Sequence, residues 1–220
     1  MDTRVADQLR LRGGHLDFIG RSHIWIDDYD RADSVQFAQF AIANALAHTA
    51  PGQLEVLVFD DALRGIAAPF QEVNSGGEKI LRHINDVQEL NETIKYLHEH
   101  VRSVLNVIQG RTESLLDFRQ RLSPKVEGFK LVVLSTIYDL LSDEVKDKLT
   151  VLLKAGPAAG VTFLIHSMKL KVNEEILNLT QLCDVDELTV YDDDGAVRGQ
   201  FDPQSADDLI SVSRDVASAV

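Results

Sequence analysis

The chain has 220 residues, 22 of them lysine or arginine against 35 aspartate or glutamate, for a formal net charge of −13, and 45% are apolar. A chain of this length buries about 70% of its extended surface, and runs such as Leu54–Phe59 and Leu131–Leu134 exclude a disordered body. The acidic balance argues against indiscriminate nucleic-acid binding. The lone Cys183 excludes an internal disulfide, and without a bilayer-length apolar run or a signal-peptide pattern the expected setting is the cytoplasm.

Residues 1–20 are polar and basic, with Arg4, Arg10, Arg12 and a Gly13-Gly14 break, and read as a lead-in to a single domain over 21–220. His23–Ile26 is a short β-type run followed by an acidic loop from Asp27 to Asp33. From Ser34 the apolar positions Val35, Phe37, Ala38, Phe40, Ala41, Ile42, Ala45 and Leu46 mix three- and four-residue steps. They predict a helix buried on most sides, with Asp33 or Ser34 as its N-cap and Pro51-Gly52 as its stop. Leu54–Phe59, closed by Asp60-Asp61, has the continuous apolar character of a strand covered on both faces.

Residues 62–86 carry Pro69, Asn74-Ser75 and Gly76-Gly77 and predict a loop with at most a short helix. Asn85 or Asp86 then caps a helix whose apolar residues Val87, Leu90, Ile94, Leu97, Val101, Val104 and Ile108 form one narrow stripe. Such a stripe suits a helix laid on a sheet, or, less economically, a coiled-coil seam. A shorter helix is expected over Thr112–Leu122, a strand at Lys130–Leu134, a Ser142-capped helix ending at Ala155-Gly156-Pro157, and a strand at Val161–Ile165. Glu187–Tyr191 and Ala196–Phe201 read as a hairpin about the Asp192–Gly195 turn, and Ser205 with Asp207-Asp208 opens a last helix. Strands alternating with helices imply an α/β domain with a mostly parallel sheet covered on both faces.

In such sheets ligands bind beyond the carboxyl ends of the strands, where helix N-termini present unpaired N–H groups. A phosphate-cradling loop would place G-x-x-x-x-G-K-[ST] between His23–Ile26 and the following helix. In that register the chain offers Asp27, Ala32, Asp33 and Ser34, so only the hydroxyl is retained. Asp27, Asp28, Asp30 and Asp33 against Arg31 give the loop a charge of about −3, which repels a triphosphate more strongly than a helix dipole of roughly half a charge attracts it. Read as a calcium loop from Asp28, the segment supplies Asp30 but then Ala32, Asp33 and Gln39, so the pattern fails. Neither bound ATP with magnesium nor a metal is expected.

The helix 34–48 followed by Pro51-Gly52-Gln53-Leu54-Glu55-Val56-Leu57-Val58-Phe59-Asp60 resembles the segment after the Walker A loop in the FtsK/SpoIIIE DNA-translocase family. The stretch around Leu97-His98-Glu99-His100-Val101-Arg102, and then Ser114-Leu115-Leu116-Asp117-Phe118-Arg119, resembles the helices that precede that family's Walker B strand. Lys130–Leu134 stands in the place of that strand. Lys154-Ala155-Gly156-Pro157-Ala158-Ala159-Gly160 leading into Val161–Ile165 is similar to the family's glycine-bounded turn into its sensor strand. The resemblance, over roughly 20–210, implies a three-layer, RecA-type P-loop fold ending in a hairpin and a helix. It also implies association with active FtsK/HerA-type ATPases.

Where that family carries adjacent acids at the end of its Walker B strand, one for magnesium and one to polarise water, this chain has Ser135 and Thr136. The resemblance therefore implies a pseudo-ATPase with no catalytic residue. Asp60 and Ser167, at strand ends, are candidate pocket or partner contacts. Three roles follow as expectations. One is a non-catalytic scaffold in a DNA-processing, DNA-translocating or defence assembly. Another is a degenerate module of a secretion motor that holds substrate peptide in the vestigial nucleotide pocket. The third is an enzyme with a relocated site drawing on Asp60, Asp61 and His83. Homo-oligomers fit the same composition. Basic residues gather at Arg4–Arg21 and at Arg111, Arg119, Arg121 and Lys125, which leaves room for weak DNA contact.

Overall fold

The computed structural model describes residues 16–26, 32–50, 52–61, 63–77, 79–122, 127–136, 141–166, 174–192 and 194–219. Along the chain run β1 (His23–Ile26), α1 (Ala32–His48), β2 (Leu54–Asp60), a 3-10 stretch at Ala68–Gly76, β3 (Leu81–His83), α2 (Val87–Ile108) and α3 (Leu115–Arg121). There follow β4 (Phe129–Ser135), α4 (Asp143–Ala155), β5 (Val161–His166), the single turn α5 (Glu174–Leu177), β6 (Thr180–Asp186), β7 (Thr189–Tyr191), β8 (Val197–Gln200) and α6 (Ala206–Ala219).

The strands form one sheet in the order β3-β2-β4-β5-β1-β6-β7-β8. From β3 to β6 every pairing is parallel, and β6-β7-β8 closes the sheet as an antiparallel meander. The connection β1-α1-β2 runs one way across the sheet, while β3-α2-α3-β4 and β4-α4-β5 run the other. Parallel crossovers keep one hand, so α1 covers one face and α2 to α4 the opposite one. This is the three-layer, mostly parallel architecture expected from the sequence. The four central strands are buried on both faces, which explains why their sequences show no polar alternation.

Several expectations hold in detail. In α2, Asp86 is the N-cap, its side chain accepting from the Glu89 backbone N–H at 2.8 Å. The α2 stripe is internal, with Leu90, Ile94, Leu97, Val101, Val104 and Ile108 in the core and only Val87 at the surface. Ser142 caps α4 and Ser205 caps α6, the latter in a box with Asp208. The turn after α4 needs Gly160 at φ 78°, where an added Cβ would lie 2.6 Å from Leu115.

Others are corrected. Ala32 begins α1, so Asp33 and Ser34 lie inside its first turn and Ser34 is not the cap. Helix α3 is shorter than expected, because Ser114 caps it by accepting from the Asp117 N–H at 3.1 Å. Residues 62–86 hold β3 as well as the 3-10 stretch, which Asn74 ties to it by accepting from the Ile80 and Leu81 N–H groups. Glu187 and Leu188 form the left-handed turn between β6 and β7 and are not strand residues, and β6 itself has no counterpart in the sequence reading. The core also takes in Leu16 and Phe18, and Phe201 packs on Phe37 and Phe40 with ring centroids 5.3 and 5.6 Å apart.

Candidate functional site

The parallel register lines up Asp60 with Ser135 and Ser135 with His166, so β2, β4 and β5 end level, beside the end of β1 at Ile26. The first turn of α1 meets this row. Ser34 Oγ lies 3.1 Å from His166 Nε2, and Ser135 Oγ lies 3.1 Å from His166 Nδ1. All three side chains are fully buried. One imidazole therefore links the hydroxyl opening α1 to the hydroxyl closing β4.

Burial is the largest cause that lowers the His166 pKa, to about 4; the Arg64 charge pushes it the same way and the Asp60 charge opposes both. At neutral pH the ring is uncharged and has one N–H donor and one bare nitrogen. One serine must donate to it while the other accepts from it, so the three groups form a directed chain.

Asp60 does different work. Its carboxylate accepts backbone N–H groups of Arg64, Gly65 and Ile66 at 3.1, 2.8 and 3.3 Å. Gln39 of α1 adds a hydrogen bond to the Gly65 carbonyl at 3.2 Å. These bonds pin the loop after β2, in which Leu63 takes a left-handed φ of 52°. Asp60 is thus a loop clamp, and its negative charge is already committed to backbone dipoles.

Of the residues expected at the site, the structure brings together Ser34, Ser135 and Asp60; Thr136 is buried next to Ser135, and Ala32 and Asp33 lie in the first turn of α1. Asp27, Asp28, Asp30 and Ser167 lie outside the described residues. His83 is exposed and meets the Gln71 amide at 3.0 Å, and among the described residues it makes no hydrogen bond to Asp60 or Asp61. His166 was missed, although it is the residue before Ser167. A histidine ending an otherwise apolar buried strand was the available signal. Among the described residues, no group of three His, Cys, Asp or Glu side chains is placed to hold a metal ion, and no helix is long and apolar enough to cross a membrane.

No protein-family model and no curated protein sequence matches the chain. Solved structures do. The EssC fragment holding ATPases 2 and 3 from Geobacillus thermodenitrificans superposes with a TM-score of 0.63 at 13% identity, over 93% of this chain and 44% of that one. Thermomonospora curvata EccC, ATPases 2 and 3 in complex with a signal sequence peptide, gives 0.67 at 12% identity over 90% and 42%. The pCW3 conjugation coupling protein TcpA, solved with ATPγS, gives 0.66 at 10% identity over 90% and 65%. The chain spans under half of the EssC and EccC fragments and about two thirds of TcpA. At such identities the likeness concerns the fold, and the chain has the α/β fold of the FtsK/SpoIIIE-type ATPase domains in these proteins.

Proposed function

We infer that the chain is a non-catalytic FtsK/SpoIIIE-like module, a scaffold or partner-binding subunit beside an active FtsK/HerA-type ATPase in a DNA-processing, conjugation or secretion assembly. The observation that carries this reading is the neutral His166 bridge between Ser34 and Ser135. In a P-loop enzyme the hydroxyl at the start of the helix and the acid at the end of the Walker B strand hold magnesium between them. Here the acid is a serine, an imidazole stands between the two hydroxyls, and the carboxylate of Asp60, level with Ser135 in the sheet, is occupied by three backbone N–H groups. Two neutral hydroxyls and a bridged ring are a poor donor set for a hard divalent cation, which favours carboxylate oxygens and water. No hydrolytic step is derived for this site.

Calorimetric titration of the chain with Mg-ATP is expected to give no binding in the micromolar range. Micromolar affinity, or turnover abolished by Ser34→Ala, would overturn the reading. A second reading, a secretion-motor module that holds substrate peptide at the carboxyl end of the sheet, draws its support from the EccC structure with its signal sequence peptide. It requires such a peptide to perturb the surroundings of Ser34 and Asp60, which the scaffold reading does not.

A further inference from the structure

The opposite end of the sheet carries a different surface. Three cavities meet there. The central one, about 580 Å³, has an apolar floor that includes Phe18, Leu116 and Phe129, with Arg21, Arg119 and His48 also lining it. It shares Arg21 and Leu116 with a polar cavity of about 510 Å³ lined by Arg111 and Arg121. On its other side it shares Thr49 and Ala50 with an apolar cavity of about 160 Å³, lined by Leu46, Ile80 and Val216, between the C-terminal ends of α1 and α6. The result is one trough, graded from apolar to arginine-rich.

We propose that this trough is a docking groove for a partner's peptide segment with an apolar stretch at one end and carboxylates at the other. Four guanidiniums, of Arg21, Arg111, Arg119 and Arg121, face the trough against the carboxylates of Asp17, Glu113 and Asp117 at the same end, on a chain whose net charge is −13. Folding brings together arginines that are 90 to 100 positions apart in sequence. Arg21 pairs with Asp17 at 2.9 Å, both exposed, and the exposed Arg121 pairs with the partly buried Asp117 at 2.6 Å. Such surface pairs are worth at most about 1 kcal/mol, so an incoming carboxylate exchanges with them at little cost. Arg111 makes no ion pair among the described residues.

Arg119 is held in place by donating to the Glu127 carbonyl at 2.7 Å and to the Gln53 side chain, with its guanidinium 5.4 Å from the Phe129 ring centroid. It therefore presents its charge beside the apolar floor without a large ordering cost on binding. Charge also selects the occupant. The chain's own lead-in carries Arg4, Arg10 and Arg12 against Asp2 and Asp7 and would set a net like charge against the rim, and a nucleic acid would leave the apolar cavity at Leu46, Ile80 and Val216 unfilled.

A random dodecapeptide library displayed on phage, selected on the full chain, tests this. Enriched sequences are expected to join an apolar stretch to two or more acidic residues. A synthetic peptide of that sequence should weaken by about tenfold or more on Arg21→Glu/Arg111→Glu, both at exposed positions, and by a similar factor on Ala50→Trp, which blocks the junction of the central and apolar cavities. Its affinity should also fall with added salt. Enrichment of neutral or basic sequences, or unchanged affinity in both variants, overturns the proposal. So does tighter binding of a single-stranded oligonucleotide that competes with the peptide, or cross-linking from a benzophenone at position 50 to residues 1–15 of the same chain that peptide does not displace. Mg-ATP plays no part in this assay, so its failure leaves the reading of the carboxyl-end site standing.

Discussion

A neutral imidazole with serines on both nitrogens is a coupled unit, because its single N–H can serve only one of them. Removing the Ser135 hydroxyl leaves His166 Nδ1 facing a buried void, at a cost of roughly 1–3 kcal/mol for an unsatisfied polar group. Ser34→Ala does the same at Nε2. With both hydroxyls gone the ring is no longer held between two serines that compete for its one N–H, so the double variant should lose less than the two single losses added together. Urea unfolding of the four-member cycle measures that difference, and strict additivity would mean the ring does not join the serines. This corner of the site was half legible in the sequence. Ser34 and Ser135 stood out by their position after strands, as in a P-loop enzyme. His166 did not, because only the parallel register of β4 and β5 brings it level with Ser135, and register is a long-range fact.

At the scale of elements, α2 is the clearest case of a pattern that sequence carries by itself. Its Leu97 is fully buried, on a helix that packs beside α4. Leu97→Asp places a carboxylate there with no partner, at a cost of about 4 kcal/mol or more, a large part of the stability of any domain of this size. The variant is expected to melt far below the parent or fail to fold, as seen by thermal melting with light scattering. Survival as a folded protein of reduced mass would instead mark the stripe as an interface between copies. The long buried strands were equally legible, since continuous apolar runs bounded by glycine, proline or aspartate leave few alternatives. Strands β3 and β6 were not. β3 is three residues long at the sheet edge, and β6 alternates buried Cys183 and Val185 with exposed acids, a weak local signal that pairing with β1 overrides. The Glu187-Leu188 turn was missed for a related reason, since neither residue type favours the left-handed backbone it adopts.

Across the whole molecule, burial of neutral histidines sets how stability varies with pH. His23 joins β1, β5 and α4: its Nδ1 accepts from the Phe163 N–H at 3.0 Å, and its Nε2 donates to the Leu153 carbonyl at 2.8 Å. That fixes its tautomer, and protonating Nδ1 would break the first bond. Burial lowers its pKa to about 4, as it lowers that of His166. In the unfolded chain both return to an ordinary value near 6.5. Between those limits the unfolded state binds more protons, so stability is complete above about pH 6.5 and falls as the pH drops towards 4. Each ring contributes a slope of about 1.4 kcal/mol per pH unit, roughly 3 kcal/mol over the window. The exposed carboxylates of Glu72 and Glu144, lowered by Arg214 and Lys148, lose their partners only at more acid pH and do not confuse it. Urea midpoints measured from pH 7 to 4.5 should therefore decline steadily, and His23→Gln, which keeps a donor and an acceptor without a titrating ring, should start less stable but decline less steeply, the slope that is left coming from His166 and from His100, whose pKa burial also lowers. A flat profile above pH 5 in the parent chain would show that these histidines are not buried in their neutral form.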